Sequence, residues 1–237
     1  SSATGMQAIP ATGAAMGLLY KEEVGLSKRD EKSPIVICSL GDASCTEGEV
    51  SEAFQMAVLK KLPIIYLVQD NEWDISAKAE ETRAQDISYF AKGFKGLKVF
   101  TVDGTNFQES YIALQEALKI TRNRKGPVLI HAKVPLLNHH TSGVRMEWYR
   151  DDLDAHLLRD PLPILKELLI ENGFKETELD DISAKSEKIV LEQYKKALEE
   201  KDPEPDELFK NIFAPTTVKE EKGERSPKNK DATVMVD

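Results

Sequence analysis

The chain has only two cysteines, Cys38 and Cys45, among its 237 residues. Two thiols cannot build a disulfide framework, and this pair lacks metal-site spacing. The cysteine usage reads as that of a reducing, cytoplasmic setting. Long apolar runs are missing as well. The longest, Pro63-Ile64-Ile65-Tyr66-Leu67-Val68, falls far short of the ~20 residues needed to cross a bilayer as a helix. No basic-then-apolar segment opens the chain. Positive charge is in deficit, with 32 Lys and Arg against 41 Asp and Glu, a formal −9. That balance disfavours nucleic acid, whose phosphates are bound mainly through basic patches. Aromatic residues make up 7% of the chain, but the hydrophobic total of 41% suits a soluble globular protein and not a disordered one. There is no internal repeat. The length allows one large domain, or one with an appendage, and a core that needs no staples.

Three apolar, β-branched runs at 34–40, 63–69 and 127–134 read as buried strands, with a shorter one at 97–102. Such strands alternating with helical segments predict an α/β fold: a parallel sheet with helices on both faces. Val50, Ala53, Phe54, Ala57 and Val58 mark one face of a helix over 50–60, with Thr46-Glu47-Gly48-Glu49 as its capping box. Further helices are expected over 8–21, rich in Ala and Gly, and over 112–121. The stretch 135–150 has no period and reads as a long loop. Asp160-Pro161 is an N-cap followed by proline at the first helical position. Ile164, Leu165, Leu168 and Leu169 form the stripe of that helix; Ile182, Ile189, Val190, Tyr194 and Ala197 form another. These two helices are expected to pack on the sheet domain. The segment 215–231 is polar and charged, as a linker or disordered tail would be. The organisation expected is therefore 1–150 as the α/β domain, 151–214 as a helical extension and 215–237 as a polar linker. The start at Ser1 without methionine and the apolar end, Ala232 to Asp237, look like cut ends.

The most informative stretch runs over 41–76, GDASCTEGEVSEAFQMAVLKKLPIIYLVQDNEWDIS. Asp42 sits just past one strand and Asn71 just past the next, one crossover away. In an open parallel sheet the carboxyl ends of neighbouring strands share a ligand-binding crevice. A carboxylate and an amide oxygen converging there suit magnesium, which wants hard oxygen donors and commonly shares them with phosphates. The backbone carbonyl of Trp73 is a candidate third ligand. The amides of Ala43 and Ser44, in the turn after Gly41, can meet a phosphate oxygen, helped by the helix N-terminus.

This arrangement resembles the thiamine-diphosphate motif, Gly-Asp-Gly and then Asn about two dozen residues on. The whole segment resembles the 2-oxo acid dehydrogenase E1 α family, through Thr46-Glu47-Gly48, Leu62-Pro63-Ile64-Ile65, and Asn71 followed by an aromatic and Ile75-Ser76. The resemblance continues in Ala8-Ile9-Pro10-Ala11-Thr12-Gly13-Ala14-Ala15, in Val102-Asp103-Gly104, in His139-His140-Thr141-Ser142 with Tyr149-Arg150, and from Asp160-Pro161 onward. It covers 2–213 and is strongest for the branched-chain 2-oxo acid type, with pyruvate next. A thiamine-diphosphate-binding fold is implied. So are thiamine diphosphate and Mg2+ as cofactors, with Asp42, Asn71 and Trp73 as metal ligands. Ala3, Gly5, Met6, Gly41, Ala43, Ser44 and His140 are implied as further cofactor contacts. Met6 is the physical choice for the apolar wedge under the cofactor, because glycine cannot wedge.

His140 is implied as the acid/base residue of the loop, since histidine is the side chain suited to proton traffic near neutral pH; His139 would orient that loop. The activity implied is decarboxylation of a small 2-oxo acid and acyl transfer to a lipoyl-bearing E2. The alternatives are pyruvate or acetoin dehydrogenase, a transketolase-type enzyme, or a noncatalytic α/β scaffold. The family's activating glutamate comes from the β subunit, and Glu47, Glu49 and Glu52 are poor substitutes on a helix beside the diphosphate. A β subunit or fused β domain in an α2β2-type assembly is therefore implied, with Val234-Met235-Val236-Asp237 as a candidate joint. No nucleic acid and no membrane enter this reading.

Departures from the family pattern are Ala43 for glycine, Asp70-Asn71-Glu72-Trp73 for Asn-Asn-Gly-Tyr, Leu136 for a basic residue, and Asn138 for glycine. Other residues read as bland. His131 is a satisfied core histidine, His156 has no assigned role, and Cys38 and Cys45 are small fillers. Glu80-Glu81-Thr82-Arg83 and Glu199-Glu200-Lys201-Asp202 are solvated charge runs. Trp148 packs in the loop or shapes the substrate pocket. Thr141 and Ser142 stand where some relatives are phosphorylated.

Overall fold

The computed structural model describes residues 4–141, 143–210 and 212. The calls on Ala3, Ser142 and the 215–237 linker lie outside them. The chain divides into two compact units, Ser1–Asp180 and Asp181–Asp237.

The first unit is built on four parallel strands: β1 (Val36–Gly41), β2 (Ile64–Asp70), β5 (Lys98–Asp103) and β6 (Val128–Lys133). Their spatial order is β1-β2-β6-β5. A two-residue pair of strands, β3 (Trp73–Asp74) and β4 (Ala77–Lys78), forms a separate antiparallel hairpin. β2 and β6 are the central strands, and their near-continuous apolar residues are buried because helices cover both faces.

On one face lie α1 (Ala8–Glu23), α2 (Gly48–Lys60) and α4 (Ile87–Lys92), packed with Leu40, Ile64, Tyr66 and Val68. On the other, α5 (Phe107–Arg122) packs Ala113 and Ala117 against Ile65, Val128 and Ile130. The alternation of Ile64 and Ile65 between the two cores is the two-residue period of a strand. Tyr66 fastens the first face. Its hydroxyl lies 2.7 Å from Thr12 Oγ1 of α1 and donates to the Ala53 carbonyl of α2.

The sequence-expected strands and helices are all present, with ends moved by a few residues. The capping box is not. α2 starts after Glu47, whose side chain makes no cap, and Thr46 Oγ1 donates to Ala43 O at 2.8 Å. Residues 43–46 already form a 3-10 turn, so the threonine hydroxyl is spent on its own turn. The proline-led helix is α7 (Pro161–Glu171), and Asp160 Oδ1 accepts from Leu162 N as expected. The short helices α3 (Ala79–Thr82) and α6 (Leu153–Leu157) were not anticipated. The remaining long helix is α8 (Glu176–Glu199), with residues 176–180 in the first unit and 181–199 in the second. Its Ile182, Ile189, Val190 and Tyr194 are exposed. Among the described residues no helix is long and apolar enough to cross a membrane.

Candidate functional site

β1 and β2 end side by side. Gly41 is the register partner of Gln69, and Asp42 N donates to Gln69 O. Asp42 and Asn71 therefore both follow paired residues at the carboxyl edge of the sheet, the position the motif called for. After Asp42 the chain turns tightly: Ser44 Oγ donates to Gly41 O at 2.6 Å, and Cys45 N to Asp42 O. Among the described residues the amides of Ala43 and Ser44 donate to nothing, so both are free to meet an anion.

Gly5 is buried against this turn in a left-handed conformation, φ +78°. A Cβ there would stand 2.9 Å from Ser44 O and from Glu47 Cβ, so only glycine fits. Met6 beside it is 41% exposed. Cys38 and Cys45 are buried, and burial pushes their thiols up to about 11 and about 12, which suits fillers and not nucleophiles.

The charges at the strand ends are arranged around a residue that sequence reasoning placed on the surface. Arg83 follows α3, and its side chain is 11% exposed. Its Nη1 donates to Asp42 Oδ2 and its Nη2 to Asp70 Oδ1, each at 2.8 Å. The other Asp70 oxygen lies 2.7 Å from Nε2 of the fully buried His131. On the far side of that ring, Asp86 Oδ1 stands 3.2 Å from Nδ1, too poorly aligned to count as a hydrogen bond. His131 is thus part of the site's charge network, not an ordinary core residue. The solvated-surface reading of Arg83 fails because two buried carboxylates at neighbouring strand tips need a cation. That need was the available signal.

The two acids respond oppositely. Burial first, and then the charge and hydrogen bond of Asp70, push Asp42 up to about 6 against the pull of Arg83. Burial also acts to raise Asp70, but hydrogen bonds from His131 and Arg83 outweigh it and hold that carboxyl well below the usual range.

Asn71 folds its side chain forward, with Oδ1 accepting from Trp73 N at 2.9 Å. That bond uses one lone pair and leaves another. Glu72 sits between them at φ +65°, a left-handed conformation that glycine adopts most easily. The Trp73 indole is buried, and its Nε1 donates to Asp152 Oδ2 at 2.8 Å. Asp152 also accepts from Arg150 Nε at 2.7 Å and faces His156 Nε2 at 3.1 Å. His156 Nδ1 accepts from Leu136 N, and Arg150 Nη1 donates to Leu136 O. Leu136, His156 and Asp152 therefore fasten the two ends of the 135–152 loop, a role that sequence reading missed. Between those ends His139 Nδ1 accepts from Met146 N, Trp148 is 72% exposed, and His140 is exposed. Among the described residues no hydrogen bond ties His140 to Asp42 or Asn71.

Asp42 borders a cavity of about 320 Å³ that is also lined by Cys45, Thr46, Ser51, Thr82 and Arg83. A carboxylate, an amide oxygen with a spare lone pair and a backbone carbonyl are hard donors. By chemistry, that donor set suits a magnesium ion carrying a phosphorylated group.

Over residues 1–206 the chain matches the family described as "Dehydrogenase E1 component". It is 33% identical over 208 residues to a pyruvate dehydrogenase E1 component subunit alpha of Porphyra purpurea, covering 86% of this chain and 59% of that protein. Against the protein of the same name in Rickettsia felis it is 30% identical over 202 residues, 83% of this chain and 60% of the relative. A 3-methyl-2-oxobutanoate dehydrogenase subunit alpha of Mycobacterium tuberculosis is 29% identical over 217 residues, 90% of this chain and 56% of the relative. The chain spans less than two thirds of the length of these relatives. It belongs to the dehydrogenase E1 component family and aligns with the α subunits of that family.

Proposed function

We propose that this chain is the α part of a 2-oxo acid dehydrogenase E1 and that it holds magnesium thiamine diphosphate at the ends of β1 and β2. The observation that carries this reading is the register of Gly41 with Gln69, which sets Asp42 and Asn71 at adjacent strand tips. Asp42, Asn71 Oδ1 and the Trp73 carbonyl would hold the ion. The Ala43 and Ser44 amides would hold diphosphate oxygens, and Gly5 lets the first segment of the chain close on that turn. When bound, thiamine diphosphate supplies the electron sink that lets a 2-oxo acid lose carbon dioxide and pass its acyl fragment on. In this reading His140 handles a proton through an imidazole nitrogen during transfer to a lipoyl group of an E2 partner. A β subunit or fused β domain supplies the rest of the pocket, and the assembly works in the cytoplasm.

The branched-chain 2-oxo acids are the substrates proposed first, with pyruvate second; relatives named for each support both. The test is calorimetry of thiamine diphosphate binding to the complete assembly, with and without magnesium, followed by acyl transfer to lipoamide from 3-methyl-2-oxobutanoate and from pyruvate. Asp42→Ala is expected to abolish magnesium-dependent binding. Cofactor affinity that does not depend on magnesium or on Asp42 would overturn the ligand assignment.

A further inference from the structure

Arg83 holds two carboxylates from different strands with different nitrogens, and the two ends of this bridge are unequal. Asp70 is fixed from several sides: Arg83 Nη2 and the Glu72 amide on Oδ1, and His131 Nε2 on Oδ2. Among the described residues Asp42 has Arg83 as its one cationic partner, through Oδ2. It also borders the cavity whose wall includes Arg83 and its neighbours Thr82, Ala84 and Gln85. A divalent ion arriving at Asp42 meets a guanidinium already in hydrogen-bond contact with the same carboxylate. Two cations that close repel each other in a buried site, so one must give way. The Asp70 end is also held by His131 and the Glu72 amide, and the Asp42 end is held less.

We infer that Arg83 is the internal counter-cation of this site: it neutralises Asp42 when no ion is bound and releases Asp42, while keeping Asp70, when a divalent ion takes that carboxylate. The inference rests on the reading of Asp42 as a metal ligand. Arg83 is then a positioning residue that competes with the ion. It keeps a buried acid paired in the empty protein and lowers the affinity for metal. The segment at the end of α3, which carries Arg83, shifts with the occupancy of the site.

The probe is Mn2+, added to the complete protein with thiamine diphosphate at saturation, and free Mn2+ is read by electron paramagnetic resonance. Arg83→Gln removes the competing charge and is expected to tighten Mn2+ binding by about tenfold. Arg83→Lys keeps a cation and is expected to stay near the wild-type affinity. A purely structural arginine would predict the reverse for Arg83→Gln, a loss of affinity. Equal or weaker Mn2+ binding by Arg83→Gln in a protein that still binds at wild type would overturn this inference alone. Wild-type protein that binds no Mn2+, or Asp42→Asn that binds as well as wild type, would overturn the ligand reading beneath it. Should Arg83→Gln fail to fold, wild-type hydrogen exchange over 79–86 decides. Exchange there is expected to change on adding Mn2+ in the wild type and not in Asp42→Asn, and no change in the wild type overturns the inference.

Discussion

The carboxylate of Asp70 and the imidazole of His131 meet at 2.7 Å inside the sheet, where neither side chain reaches more than 2% exposure. They come from the adjacent central strands β2 and β6 and join the metal-motif edge to the core. Removing the histidine leaves one oxygen of a buried carboxylate without its partner. His131→Leu keeps much of the volume and removes the donor. It is expected to cost about 3 kcal/mol, in the range for breaking a buried pair from one side. Urea unfolding reads this directly, and a loss under 1 kcal/mol would mean that Arg83 and the Glu72 amide satisfy Asp70 without the histidine.

Gly5 gives a second prediction, because it links the start of the chain to the phosphate turn. Gly5→Ala places a methyl group 2.9 Å from Ser44 O and adds the strain of φ +78°. The turn or the N-terminal segment must move. Stability is expected to fall by about 2 kcal/mol, and thiamine diphosphate affinity to fall with it. A variant that loses stability but binds the cofactor normally would show that the turn holds its shape without Gly5.

Glu72 makes the opposite prediction. It is an exposed, non-glycine residue held at φ +65° between Asn71 and Trp73. Left-handed backbone costs such a residue roughly 1 kcal/mol, and glycine loses part of that gain to its own chain entropy. Glu72→Gly is expected to raise stability by about 0.5 kcal/mol, seen as a higher urea midpoint with an unchanged slope. A lower midpoint would mean that the glutamate side chain contributes more than its backbone costs.

What was legible in the sequence follows a physical division. β2 and β6 are readable because a central parallel strand must be apolar throughout, and the face of α2 is readable from its helical spacing. Asp42 and Asn71 are readable because both motif positions are local to a strand end. Arg83 was not, because its burial is decided by carboxylates 41 and 13 residues away. Locally, Glu80-Glu81-Thr82-Arg83 is indistinguishable from a solvated run. His131 was correctly placed in the core, but its Asp70 and Asp86 partners are also distant in sequence. The capping box failed for the converse reason: the local pattern was real, and a neighbouring 3-10 turn had already taken the hydroxyl of Thr46.

His156 gives a prediction about pH. Its Nδ1 accepts from Leu136 N and its Nε2 faces Asp152, so the folded protein needs Nδ1 unprotonated. Burial, with the charge of Arg150 second, holds its pKa below the ordinary imidazole value of 6.5, although Asp152 pulls the other way. The unfolded chain takes up a proton near 6.5 that the folded chain refuses. Stability is therefore full above about 6.5 and falls as pH drops from there toward the lower folded value. Because the bond to Leu136 fastens the 135–152 loop, the same titration should loosen that loop. Thermal melts between pH 5 and 8, in wild type and His156→Gln, isolate the contribution. The wild type is expected to lose more stability on acidification than the variant, which has no imidazole to protonate. Parallel pH profiles for the two proteins would assign the acid sensitivity to other groups and leave His156 as a simple hydrogen-bond acceptor.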